Sequence, residues 1–125
     1  MSIYIYEDKR GEHPFLSWYH QLQRKDEAMF HKVNALLKEM DDDSLERVRP
    51  RVKKMLARTD YRHLYKMRLG KYRLFFLYEN QHYYLLHAFR KTSQTTPEKE
   101  VKKVSKEIEE HRFVPLTISL LQEKQ

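Results

Sequence analysis

Between His63 and Arg90 the side chains alternate with a period of two through three runs, His63–Leu69, Tyr72–Glu79 and His82–Arg90. The breaks between them, Gly70-Lys71 and Asn80-Gln81, have the length of tight hairpin loops. The runs therefore read as three consecutive antiparallel strands. Gly70 stands at the first loop position, where a type II′ turn needs a positive φ. A meander of this kind presents two faces, and the remaining chain has to cover what is apolar on them.

The rest of the 125 residues is read as one domain around that sheet, with an apolar tail at about 114–125. Ile3 and Ile5 alternate with Tyr4 and Tyr6 in a short strand. Pro14 opens a first helix whose stripe is Phe15, Leu16, Trp18, Tyr19 and Leu22. A second helix is expected from about Asp26, a suitable N-cap, to Met40, with Ala28, Met29, Val33, Leu36, Leu37 and Met40 inward. Pro50 should interrupt the loosely helical Asp41–Ala57, leaving a short helix or turn and a basic connector from Arg47 through Lys54. Thr96-Pro97-Glu98 reads as an N-cap with proline at the first helical position, and a helix follows to about His111 with Val101, Val104 and Ile108 on one face. The tail Val114–Leu121 should dock, on the chain's own body or on a partner. The expected fold is α+β: an antiparallel sheet, the N-terminal strand plus the three-strand meander, with helices mainly on one face.

Charge narrows the function. Lysine and arginine number 25 against 18 acids, a net +7, and the stretch from Arg47 to Lys91 is much richer in base than acid. Segregated positive charge favours a polyanionic partner. With no cysteine there is no disulfide framework and no thiolate nucleophile or metal ligand, which fits a reducing cytoplasm. No tight histidine–carboxylate spacing suggests a metal, no glycine-rich phosphate loop is present, and no cofactor is expected. No apolar stretch reaches the length of a membrane span, and the N-terminus lacks a secretory signal.

The hairpin register locates the chemistry. If Gly70-Lys71 is a two-residue loop, Leu69 pairs with Tyr72 and Arg68 lies across from Arg73. Lys66, Arg68 and Arg73 then share one face, while Tyr65, Met67, Leu69, Tyr72, Leu74, Phe76 and Tyr78 form the other. Two arginines directly opposite repel, by up to about 1 kcal/mol, so stability alone does not call for them. A phosphate lying over the sheet would, because guanidinium forks match its oxygens. His87, Arg90 and Lys91 close the third strand, adding base and one imidazole suited to proton transfer; His63 is a weaker candidate for that role. Tyrosines interleaved with base, Tyr65 among them, could stack on unpaired bases.

At these residues the chain resembles a known family. Leu64-Tyr65-Lys66-Met67-Arg68-Leu69-Gly70-Lys71-Tyr72-Arg73-Leu74-Phe75-Phe76 is similar to the strand–turn–strand signature of the RelE/HigB superfamily of bacterial toxins. The run from Leu85 to Pro97, with its Phe89-Arg90-Lys91 and Thr-Thr-Pro segment, resembles the phage-derived, HigB-like branch. The resemblance implies a RelE-like fold and the toxin of a type II toxin–antitoxin pair, a ribosome-dependent endoribonuclease that cuts mRNA in the ribosomal A site. In that chemistry a ribose 2′-OH attacks the adjacent phosphate, which needs a base, cations for the crowded phosphorus and an acid for the leaving oxygen. Carried onto this chain, Arg68 and Arg73 would hold the phosphate, Lys66 or His87 would move protons, and Lys91 would hold the backbone of mRNA or ribosomal RNA. Arg90, Lys71, Lys53, Lys54 and Tyr65 would add RNA contacts. A lysine can act as base only where neighbouring cations pull its pKa down.

One departure stands out. Some relatives carry a catalytic tyrosine after the last strand of the meander, and here no tyrosine follows Tyr84. The implied partner is a cognate antitoxin of the helix-turn-helix, HigA-like kind. Two other functions fit such a fold: a non-catalytic, ParE-like inhibitor of DNA gyrase, against which the clustered cations argue, and a nucleic-acid-binding module.

Overall fold

Six strands make one sheet in the computed structural model, which describes residues 3–42, 52–55 and 59–122, the side chains of Asp42 and Lys54 excepted. The order across the sheet is β2 (Val52–Lys54), β3 (Leu64–Leu69), β4 (Tyr72–Glu79), β5 (His82–Arg90), β1 (Ile3–Tyr6) and β6 (Phe113–Pro115). The three meander strands form with the expected pairing: Leu69 opposite Tyr72 and Arg68 opposite Arg73. Gly70 takes φ +59°, and a β-carbon there would meet Met29 Cε at 2.8 Å. In the second turn both Asn80 (φ 52°) and Gln81 (φ 66°) are left-handed, the geometry of a type I′ turn made without glycine.

Three expectations about the sheet are corrected. It is mixed, because β1 runs parallel to β5. It has two further strands, β6 against β1 and β2 against β3, so the basic connector ends in an edge strand; its residues 47–51 lie outside the described set. And the helices cover both faces. Helices α1 (Pro14–Lys25) and α2 (Glu27–Asp42) pack on Ile5, Met67, Leu69, Leu74, Phe76, Tyr83 and Leu85. Helix α3 (Glu98–Glu110) packs Val104 and Ile108 on the opposite face, against Tyr6, Leu64, Phe75, Leu77, Leu86 and Phe89. The meander alternates apolar on both sides in β4, Leu74-Phe75-Phe76-Leu77, which is what a sheet covered twice requires.

The helix ends follow local chemistry. Pro14 is the first residue of α1, and the Met29 N–H donates to Asp26 Oδ1 at 3.2 Å, so Asp26 caps α2 as expected. At α3 the expectation fails: the helix begins at Glu98, Pro97 is its N-cap, and no side chain caps it. Thr96 is engaged elsewhere. The tail docks on its own body, through β6 and a short helix α4 (Ile118–Gln122), with Val114, Leu116, Leu120 and Leu121 against the α1–α2 core. No described helix is long and apolar enough to cross a membrane.

Candidate functional site: a basic recess at the open end of the sheet

Helix α3 covers only part of its face. Beyond it, near the β3–β4 turn, two sheet rows carry the cations of this face over a floor of buried aromatics. One row is Lys53, Lys66 and Phe75; the next is Arg68, Arg73 and Phe89. The segment after β5 walls them in, and the result is a recess of about 260 Å³ lined by Val52, Lys53, Lys66, Arg68, Arg73, Lys91 and Gln94. Five of the lining residues are cations and none is acidic.

Each cation is held differently. Arg73 is buried, and its Nη1 donates to the carbonyl oxygens of Gly70 and Tyr72, both at 2.8 Å. The β-turn thus fixes the guanidinium, and its other nitrogens are left to face the recess. Burial, and after it the neighbouring Arg68, lowers the pKa of Arg73 from the usual arginine value. An anion that restores solvation to the buried fork relieves both costs. Arg68 is exposed, and no carboxylate lines the recess beside it. Lys66 Nζ donates to Thr96 Oγ1 at 2.6 Å, which ties β3 to the segment preceding α3. Lys91 is anchored through its backbone, its N–H donating to the Lys71 carbonyl at 2.8 Å.

His87 is not in the recess. Between Leu74 and Phe76 the register with β5 slips by one residue, so that Leu86 and His87 together face Phe75. This bulge turns both side chains to the α3 side. With regular alternation His87 would have pointed with Leu85 toward α1. Instead it lies fully buried under α3, its Nδ1 2.6 Å from Glu107 Oε1 and its Nε2 3.0 Å from Glu100 Oε1. Each ring nitrogen thus meets one carboxyl oxygen of α3. The ring also packs 5.3 Å from Phe75. This is a clamp between sheet and helix, away from solvent.

The other expected residues divide by face. Lys53 joins the recess. The backbone of Lys54 pairs with Tyr65, and its side chain lies outside the described set. Tyr65 belongs to the α1–α2 face, stacked on Phe76 at 5.6 Å, and does not reach the recess. Lys71 sits on the exposed turn, 4.0 Å from Asp26 and over the Tyr72 ring. Arg90 turns to the α1 side of the sheet, so of the two cations closing β5 only Lys91 lines the recess. His63 is exposed, 4.0 Å from Glu79. Gln94 was not singled out in the sequence, and Thr96 was read there only as a helix cap, with nothing in the spacing to mark either for the recess. Glu100 and Glu107 did carry a signal: both lie on the apolar stripe of α3, where a carboxylate needs a buried partner. Among the described residues no group of histidines and carboxylates could hold a metal ion.

Comparison with known proteins fits this geometry. A solved structure with the same fold is the toxin–antitoxin complex YoeB-YefM, a heterotetramer, from Staphylococcus aureus. It superposes with a TM-score of 0.50 at 20% identity, over 74% of this chain and 98% of that one. At that identity the likeness establishes the fold, which is RelE-like. No curated protein matches the chain in sequence. Residues 20–109 match the family described as "Phage derived protein Gp49-like (DUF891)", a span that includes α2, the whole meander and nearly all of α3. The chain, with its recess built largely on that meander, is a member of the phage-derived Gp49-like family.

Proposed function

We propose that the chain is the toxin of a type II toxin–antitoxin pair, of the HigB-like branch, and that it cleaves mRNA on the ribosome at the basic recess. The observation that carries this reading is the lining itself: Lys53, Lys66, Arg68, Arg73 and Lys91 converge with no carboxylate among them. A set of like charges that costs stability makes sense over a phosphodiester. The Gp49-like family and the toxin fold of the structural neighbour support the same direction.

In the proposed reaction the ribose 2′-oxygen bonds to the adjacent phosphorus as the P–O5′ bond breaks, leaving a 2′,3′-cyclic phosphate and a 5′-hydroxyl. The proton leaves O2′ for a base, and another is delivered to O5′. Arg73, preorganised by the turn carbonyls, and Arg68 opposite it would take the developing charge. Lys66, oriented by Thr96, is positioned to exchange the proton, and Lys91 and Lys53 to hold the backbone. His87 has no part in this scheme, because α3 seals it off. With no tyrosine in the recess, proton transfer would rest on lysines. A cytoplasmic setting and a helix-turn-helix antitoxin belong to the same proposal.

The test is primer extension on a translated reporter mRNA after brief induction, with an untranslated copy and Arg73→Ala beside it. New 5′ ends confined to the translated message and lost in the variant are the expected result. Intact mRNA during growth arrest would reject the nuclease and turn the search to gyrase. Intact mRNA with normal growth would leave a binding module.

A further inference from the structure

The same sheet end carries a second groove on its other side. It has a volume of about 630 Å³, between the last turns of α1 and the ends of β4 and β5. Its wall is built from Trp18, Gln21, Arg24, Lys25, Tyr72 and Arg90 among others, and again no lining residue is acidic. Arg24 and Lys25 sit in the last turn of α1, where a cation suits the carbonyl end of a helix. That reason does not extend to Arg90, exposed at the end of β5. Nor does it extend to Trp18. This residue is 8% exposed, and its Nε1 is buried with no hydrogen-bond partner among the described residues. A buried donor without an acceptor beside three cations is a site arranged for an anion or a base carbonyl.

The two concavities are joined through the backbone. Tyr72 and Arg73 are consecutive, so one lines the groove and the other the recess; Arg90 and Lys91 are split in the same way. The β3–β4 turn between them carries Lys71, over the Tyr72 ring and 4.0 Å from Asp26. Tyr72 also meets Trp18 edge-on at 5.6 Å between ring centres, which gives an aromatic wall to a basic floor. Cations that track a backbone beside an aromatic wall are what single-stranded nucleic acid asks for.

We infer that this groove binds a nucleotide of the same RNA strand whose neighbouring phosphate enters the recess, the strand crossing the sheet end over Lys71. The inference rests on the nuclease reading for its substrate. Arg24 and Arg90 hold a phosphate, and the nucleobase lies against Tyr72 beside the Trp18 ring.

Trp18 is the one tryptophan of the chain, so a ¹⁵N-labelled sample gives a single indole N–H cross-peak that reports on this groove alone. The probe is a ten-nucleotide 2′-O-methyl RNA, which binds but offers no attacking hydroxyl. The expected result is a saturable shift of the indole peak. Arg24→Gln with Arg90→Gln, both exposed positions, should weaken binding by anisotropy at least about tenfold, and should flatten the log–log salt dependence by about 0.7, the value for one phosphate contact on a single strand. Arg73→Ala should keep the indole shift while losing cleavage of unmodified RNA, so failure of the nuclease and failure of the groove read differently. An indole peak that stays put while RNA binds, with the double variant binding as tightly as the parent, would overturn the inference. So would a full shift with inorganic phosphate alone at the same concentration, which would make the groove a simple anion pocket.

Discussion

Replacing His87 by phenylalanine separates a clamp from a catalyst. The substitution keeps a ring of similar volume between Phe75 and α3 but removes both hydrogen-bonding nitrogens. Glu107, 3% exposed, and Glu100 then lose their shared partner, and Glu107 already has one buried oxygen, Oε2, without a hydrogen bond among the described residues. Stranding a buried charge costs about 3–5 kcal/mol. An unfolding entropy of roughly 2.1 cal/mol/K per residue gives a chain of this length about 0.26 kcal/mol/K, so Tm should fall by roughly 11–19 °C. Circular dichroism melts at pH 7 measure it directly. Adding Glu107→Leu to His87→Phe should recover much of the loss, because removing both members of a buried pair is often close to neutral. Cleavage per folded molecule, measured well below the lowered Tm, should match the parent. A variant that melts like the parent yet no longer cleaves RNA would refute the reasoning and return the imidazole to the chemistry.

Four other outcomes follow from the geometry. Gly70→Ala forces alanine into φ +59° beside the flexible end of Met29, and should cost about 1–2 kcal/mol in chemical denaturation. Gln81→Gly relieves a left-handed residue in the I′ turn and should raise stability by about 1 kcal/mol in the same assay. Burial, with the Glu110 hydrogen bond, raises the pKa of Tyr6, and burial likewise raises those of Tyr19, Tyr61 and Tyr84. Their neutral forms favour the fold, so stability should be constant below the ordinary tyrosine range near pH 10 and fall as pH rises through it; Tyr6→Phe should make that alkaline decline shallower in melts between pH 8 and 11. Thr96→Val removes the acceptor that orients Lys66, and should lower the cleavage rate by roughly tenfold, as loss of one hydrogen bond to a charged group implies, while Thr96→Ser retains it.

The meander was legible because two-residue turns leave a strand no freedom: once Leu69 meets Tyr72, Arg68 must meet Arg73. The cations of β3 and β4 were therefore readable as a set before any coordinates. What period-two reasoning could not carry was the bulge at Leu86-His87, since one extra residue reverses the face of everything before it. That single slip put His87 on the face of α3, and the helix buries it there, apart from the recess. The short strands β2 and β6 were hidden for another reason. Three residues hold too little periodicity to be read, and each exists only because an edge of the sheet was waiting for it. The proline at Pro97 was placed one position too far into the helix because Thr96 looked like a cap; its hydroxyl is spent on Lys66 instead.

The place of β1 between β5 and β6 bears on how the chain is made. During synthesis β1 is made first of the six strands, but both its neighbours are encoded far downstream, and the last of them is Phe113–Pro115. With elongation at about 5–20 residues per second, β1 waits roughly 5–20 s for β6 after it emerges. Until then one of its edges has open hydrogen-bonding groups, and the α1–α2 core lacks the lid that Leu116, Leu120 and Leu121 bring. Folding therefore cannot finish early. The sheet thus closes around its earliest strand last, and no partly made chain that lacks residues 113–115 can hold β1 along both edges.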